Sequence, residues 1–250
     1  MSEGTPESWT MQTIGLIRSP FPEKFGVPRQ PGLHQLQSRI ELHPPFNHAD
    51  AVRGLEQFSH LWVTFIFHLS ATQGWTALIR PPRLGGNRKI GVFASRSPFR
   101  PNPIGLSAVK LEAVQHGPKG TQLIITGGDF VDGTPVLDIK PYIVYSDAYP
   151  QACSGYADKP PATPLRVTLT ALAQEHLQRL AVDHPLINGD ASRQSAQKTL
   201  QDALGLDPRP AYAHTTQQDR IHYLKLFDLE IVWQAEGDQV TIQAITPSSP

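Results

Sequence analysis

The apolar positions of this chain fall into short runs broken by proline, glycine and small polar residues, and the densest is Leu61 to Leu69, LWVTFIFHL. β-Branched and aromatic residues dominate it, which predicts a strand. Its near-continuous apolarity predicts burial on both faces. Thr13 to Ile17 reads as a first strand ended by Ser19-Pro20, and Gln37 to Leu42 alternates apolar with polar as a second. Asn47 to Leu55 has the pattern of a short helix with Asn47 as its N-cap. Ser107 to Gln115 and Thr121 to Thr126 read as strands paired across His116 to Gly120. Several short strands separated by turn signals suggest a closed or sandwich-like β body.

Beyond this body the period changes. Thr170 to Leu180 and Gln194 to Leu204 carry apolar residues at helical spacing, and Gly205 and Pro208 end the second run. Ile221 to Trp233 and Gln239 to Ile245 read as a β-hairpin across Glu236-Gly237-Asp238. The expected organisation is mainly β. A disordered tail over 1–12 precedes a barrel domain over 13–150, then a Pro- and Ala-rich linker over 151–164 and a small α+β domain over 165–250. The 24 prolines and 19 glycines favour many loops over long helices.

Charge changes this picture in one place. The formal net charge is zero, yet no Asp or Glu occurs between Glu56 and Glu112, while Arg80, Arg83, Arg88, Lys89, Arg96 and Arg100 crowd one segment. Prolines stiffen that segment, from Pro81-Pro82 to Pro103, and glycines turn it. Cations fixed on stiff loops make an anion-binding surface, although a solvated basic loop has the same composition. The single cysteine, Cys153, excludes an internal disulfide and a multi-cysteine zinc site, and fits a reducing cytoplasm. The N-terminus has no signal-peptide pattern and no apolar run is long enough to span a bilayer, so no membrane association is expected.

Two further loops stand out. In FPEKFGVPRQPG, Pro28 and Pro31 bracket Arg29 and Gln30, which presets an extended backbone. In GGDFVDGTPVLDIKPY, Asp129, Asp132 and Asp138 accompany a tight Asp132-Gly133 turn without the spacing of a calcium loop. A carboxylate turn opposite an arginine-rich loop is a candidate active site, and a capped turn is the plainer account. His68 ends the apolar strand, where a lone histidine is more often packed than functional. No dinucleotide fingerprint, P-loop, nucleophile elbow or zinc motif occurs, so no metal is expected. Phe93, Phe99, Phe130, Tyr142 and Tyr145 accompany the basic and acidic loops. Arginine and stacking aromatics suit a nucleotide or an RNA loop, and the residues alone take the argument no further than an anionic, aromatic-bearing ligand.

The segments VPRQPG, FSHLW, RPPRLGGN, GVFASRSPFRPNPIGLS, DGTPVLDIKPY and DPRPAY, in this order, closely resemble the TrmO (TsaA-like) family of tRNA methyltransferases. The resemblance implies a TsaA-like β-barrel catalytic domain and a cytoplasmic homodimer. It also implies S-adenosyl-L-methionine as cofactor and methylation of N6 of threonylcarbamoyladenosine at position 37, beside the tRNA anticodon. Carried over by motif, the cofactor residues are Pro28, Arg29, Gln30, His68, Leu69, Arg96, Leu106, Asp132, Gly133, Thr134 and Pro135. On this reading Arg80, Arg83, Arg88, Lys89 and Arg100 meet the anticodon stem-loop, Lys140 the threonylcarbamoyl carboxylate, and Tyr142 the base. Asp138 is the candidate for orienting the nitrogen or taking its proton, and Arg209 and Tyr212 are candidates for further tRNA contacts. Two alternatives stand beside it: a non-catalytic RNA-binding module, and a methyltransferase acting on a small molecule.

Overall fold

The computed structural model describes residues 8–85, 87–118, 120–158, 164–181, 184, 186, 193–209 and 220–248. Six strands close into a barrel: β1 (Gly15–Arg18), β2 (Gln37–Leu42), β3 (His60–Ile66), then β6 (Ile104–Gly117), β7 (Gly120–Thr126) and β8 (Thr134–Pro141). Around the barrel the order is β1-β2-β7-β6-β3-β8, and β8 returns to β1 with Gly15 opposite Val136. Closure leaves no edge to protect. Alternate residues point inward, so Ile17, Ile40, Leu61, Val63, Val109, Leu123, Ile125 and Val136 form one buried core.

Between β3 and β6 the chain leaves the barrel as the basic excursion. It carries a two-residue ribbon, β4 (Leu78–Ile79) against β5 (Ile90–Gly91), and is otherwise built from short 3₁₀ turns. A short helix, α1 (Val144–Asp147), follows β8. A second layer then forms from β9 (Arg166–Leu169), α2 (Ala171–Arg179), α3 (Arg193–Leu204), β10 (Ile221–Leu226), β11 (Leu229–Glu236) and β12 (Gln239–Pro247). Its sheet runs β10-β11-β12-β9, with β9 parallel to β12. Thr170 caps α2 by accepting the Ala173 N–H.

Several expectations need correction. The run Leu61 to Leu69 stops being a strand at Ile66, and it is not buried on both faces. Leu61, Val63 and Phe65 point inward, while Trp62, Thr64 and Ile66 are only half-buried on the outer face. Asn47 to Leu55 forms two 3₁₀ turns, and His48 occupies the cap position with no side-chain cap bond. The C-terminal hairpin is three strands, because Phe227 takes a left-handed φ of 57° and turns the chain between β10 and β11.

The second core reaches into the barrel half. Phe21 and Leu36 are buried in the same cluster as Leu200, Leu204, Leu224 and Trp233, and Phe25 and Val27 pack on it. Gly26 sits where the two meet, at φ +90°, and a Cβ there would lie 2.1 Å from Leu224 Cδ1. Gly26→Ala therefore combines backbone strain with overpacking. It is expected to cost about 1–3 kcal/mol, read as a lower urea midpoint.

Candidate cofactor pocket and its basic rim

The loop after β1 is tied down from both sides. Lys24 Nζ donates to the Leu69 carbonyl at 3.0 Å and to Ser70 Oγ at 2.9 Å, while Arg29 Nη2 donates to the Arg209 carbonyl at 2.9 Å. Arg96 Nη1, from the basic excursion, donates to Gln30 Oε1 at 2.5 Å. Arg100 turns inward and donates to the carbonyls of Ser95 at 2.8 Å and Ser97 at 3.3 Å, so it pins its own loop. These ties converge on one end of β3 and β6 and enclose a cavity of about 530 Å³.

Pro28, Arg29, Gln30, His68, Leu69, Arg96, Leu106 and Thr134 all line this cavity, as does Arg100. Segments distant in sequence thus meet in one cavity. Leu69 and Leu106 are 43% and 54% exposed, too open for core leucines, and they offer an apolar wall. Burial, together with nearby Lys24, lowers the pKa of His68 and keeps its imidazole neutral.

Asp132, Gly133 and Pro135 lie outside the lining. Asp132 Oδ1 accepts the Ser19 N–H at 2.9 Å, Gly133 donates its N–H to Ile17 at 2.8 Å, and Pro135 pairs with Leu16 on the barrel wall. That turn braces the cavity from behind, and only Val131 and Thr134 at its ends reach the lining. Asp138 and Tyr142 are also outside. Asp138 forms an ion pair with Lys140 and accepts the Ile139 N–H at 2.9 Å. Tyr142 packs on Trp62 with ring centroids 5.4 Å apart, and Trp62 does line the cavity.

Arg80, Arg83, Arg88 and Lys89 are exposed on the excursion, and Arg83 also lines a second cleft that shares Pro28, Arg29 and Gln30 with the first. Arg209 is not a surface residue. It is 3% exposed and held bidentately by Asp207, with contacts of 2.7 and 2.8 Å. Its burial leaves it supporting Arg29 through its carbonyl; Tyr212 lies outside the described residues.

Sequence reasoning missed Lys24, Trp62 and Ser107 as lining residues, and named Asp129 only as one of three carboxylates on its turn. Asp129 is placed by the turn Gly127-Gly128. His34 anchors that turn: its Nδ1 accepts the Leu36 N–H at 2.9 Å, so its Nε2 donates to the Gly128 carbonyl at 2.8 Å. Ser107 Oγ donates to Asp129 Oδ1 at 2.6 Å. Burial raises the Asp129 pKa; the Ser107 hydrogen bond and the Arg96 charge oppose that rise.

Fold and site define a β-barrel protein whose small-molecule cavity opens beside a basic surface. The family model for the tRNA-methyltransferase O N-terminal domain matches residues 16–148, and that for the TrmO C-terminal domain matches 162–248. The chain is 42% identical to the tRNA (adenine(37)-N6)-methyltransferase of Escherichia coli K12, over 96% of this chain and 99% of that one. It is 44% identical to the protein of the same name from Eikenella corrodens, over 75% of this chain and 97% of the relative. A crystal structure of TrmO from P. aeruginosa superposes with a TM-score of 0.77 at 35% identity, covering 98% of this chain and all of that one. The chain belongs to the tRNA-methyltransferase O (TrmO) family. Among the described residues no helix is long and apolar enough to cross a membrane.

Proposed function

We propose that this chain is an S-adenosylmethionine-dependent methyltransferase that modifies N6 of adenosine 37 of tRNA, in the form that carries a threonylcarbamoyl group. The cavity carries this reading, because the loops at 28–30, 68–69 and 96 converge on it beside an exposed basic excursion. It has the size and mixed lining of a small-molecule site. Its donor set suits the cofactor: Arg96, Arg29 and Lys24 for a carboxylate, Leu69, Leu106 and Phe99 for a purine, and backbone around Pro28 and Thr134 for hydroxyls. When bound, S-adenosylmethionine supplies a methyl group made electrophilic by its sulfonium.

The protein's own part is placement. Gln30 and Arg96 hold each other, so the cofactor loop is set before ligand arrives, and orientation of this kind lowers the barrier to displacement. The Asp132–Pro135 turn acts through Thr134 and by bracing β1. Trp62 and Tyr142 stand at the cavity's outer side, where a base from a single-stranded loop can stack. Lys140, beside Tyr142, takes the threonylcarbamoyl carboxylate. Arg80, Arg83, Arg88 and Lys89 hold anticodon stem-loop phosphates. On this reading the catalytic unit is the barrel over 13–150, joined by 151–164 to a C-terminal unit over 165–250 that buttresses the Arg29 loop. The enzyme works as a cytoplasmic homodimer, for which light scattering is expected to give twice the 27.6 kDa chain mass.

Binding of anticodon stem-loops tests the substrate. Affinity is expected to fall linearly in log–log form as salt rises. Replacing Arg80, Arg83, Arg88 and Lys89 by alanine together is expected to reduce that slope by about three to four. A loop carrying threonylcarbamoyladenosine should bind more tightly than one with adenosine. Equal affinity for both loops, with an unchanged salt slope in the variant, contradicts the substrate assignment.

A further inference from the structure

The cavity is lined by four cationic residues, Lys24, Arg29, Arg96 and Arg100, and by one acid, Asp129. That carboxylate is half-buried. Ser107, itself 2% exposed on β6, holds its Oδ1 at 2.6 Å, and no other side chain hydrogen-bonds it among the described residues. The residue first expected to handle the proton, Asp138, is engaged by Lys140 away from the cavity. His68, the other titratable lining group, is disfavoured as an acceptor by burial and by Lys24.

Resting on the function proposed above, we infer that Asp129 accepts the N6 proton during methyl transfer. As the N6–carbon bond forms, the carbon–sulfur bond breaks and its electron pair returns to sulfur. The N6–H pair stays on nitrogen, and the proton ends on a carboxylate oxygen of Asp129. A sulfonium and a carboxylate are thereby replaced by a thioether and a neutral acid. Loss of two opposite charges is favoured where solvation of both is reduced, and Asp129 is partly desolvated. Ser107 stabilises the charged form before transfer and fixes the carboxylate's orientation. A partly desolvated carboxylate is also the stronger base, since desolvation disfavours its charged form. The charged and titratable groups that share its cavity are Arg96, Lys24, Arg29, Arg100 and His68, of which Arg96 is the one that pulls its pKa down.

The test compares wild type with Asp129→Asn, which keeps the shape and the Ser107 contact. Single-turnover rates with saturating cofactor and threonylcarbamoyl-bearing tRNA are followed across pH, and S-adenosylmethionine binding is measured by calorimetry. The variant is expected to lose about 10²–10⁴-fold in rate. Its cofactor affinity should stay within about threefold of wild type, because a proton acceptor acts after binding. The acid limb of the wild-type profile, set above the ordinary aspartate range, should vanish. A variant rate near that of wild type, a persisting acid limb, or weakened binding with the saturated rate retained overturns the inference; the last makes Asp129 a cofactor counter-ion. If Asp129→Asn does not fold, Ser107→Ala serves instead, and its acid limb should move to higher pH. An unmoved limb overturns the inference. Wild type that binds cofactor yet methylates neither form of tRNA overturns the function reading itself, and the inference with it.

Discussion

Arg96→Ala is expected to weaken S-adenosylmethionine binding by two to three orders of magnitude with little change in melting temperature. Arg96 is exposed at the cavity and donates to Gln30 Oε1 at 2.5 Å. It contributes nothing to either buried core. A cofactor carboxylate bound on Arg96 would cover it, and removing one partner of a charge pair desolvated in a complex typically costs about 2–5 kcal/mol, with each 1.4 kcal/mol a factor of ten. The loss is compounded here because Gln30 loses the partner that fixes it. Calorimetric titration of the variant decides the point, and an unchanged affinity removes Arg96 from the cofactor site.

Phe130→Ala is expected to lower stability by about 3–5 kcal/mol and to impair cofactor binding as well. The ring is 1% exposed and meets Phe65 edge-to-face with centroids 5.0 Å apart. Phe65 in turn lies against Gly105, where a Cβ would approach the ring at 2.2 Å, so the floor of the cavity is closely packed. Phe130 itself lines the cavity, so collapse of its site would deform the cofactor's seat. Denaturant unfolding followed through the barrel's Trp62 is the measurement. A loss below 1 kcal/mol would mean that the floor repacks.

What the sequence made legible was set by periodicity. Gln37 to Leu42 alternates cleanly and is a strand over those same residues, and the hairpin of β6 and β7 turns where His116 to Gly120 place it. The run at 61–69 misled because Trp62 and Ile66 are apolar for the cavity rather than for the core. Apolarity alone cannot separate those two destinations. β8 was hidden by Pro135, Asp138 and Pro141, residues that ordinarily signal loop. β9 is four residues long and pairs in parallel with a strand about seventy positions away, which no local pattern reports. The Phe227 turn carries no glycine.

The site divides in the same way. Pro-bracketed Arg29 and Gln30, His68 at a strand end and Arg96 were visible as loop chemistry, and they share a cavity. Choosing among Asp129, Asp132 and Asp138 required the fold. Three carboxylates within ten residues look alike in sequence, yet one is tied to Ser19, one to Lys140, and one faces the cavity held by Ser107.

The central claim is methyl transfer to N6 of a threonylcarbamoyl-bearing adenosine 37. Labelled S-adenosylmethionine supplied with two tRNA pools, one carrying the threonylcarbamoyl group and one lacking it, tests this through mass spectrometry of the nucleosides. Label on N6 in the modified pool alone is the expected result. Label in neither pool, or in both equally, contradicts it.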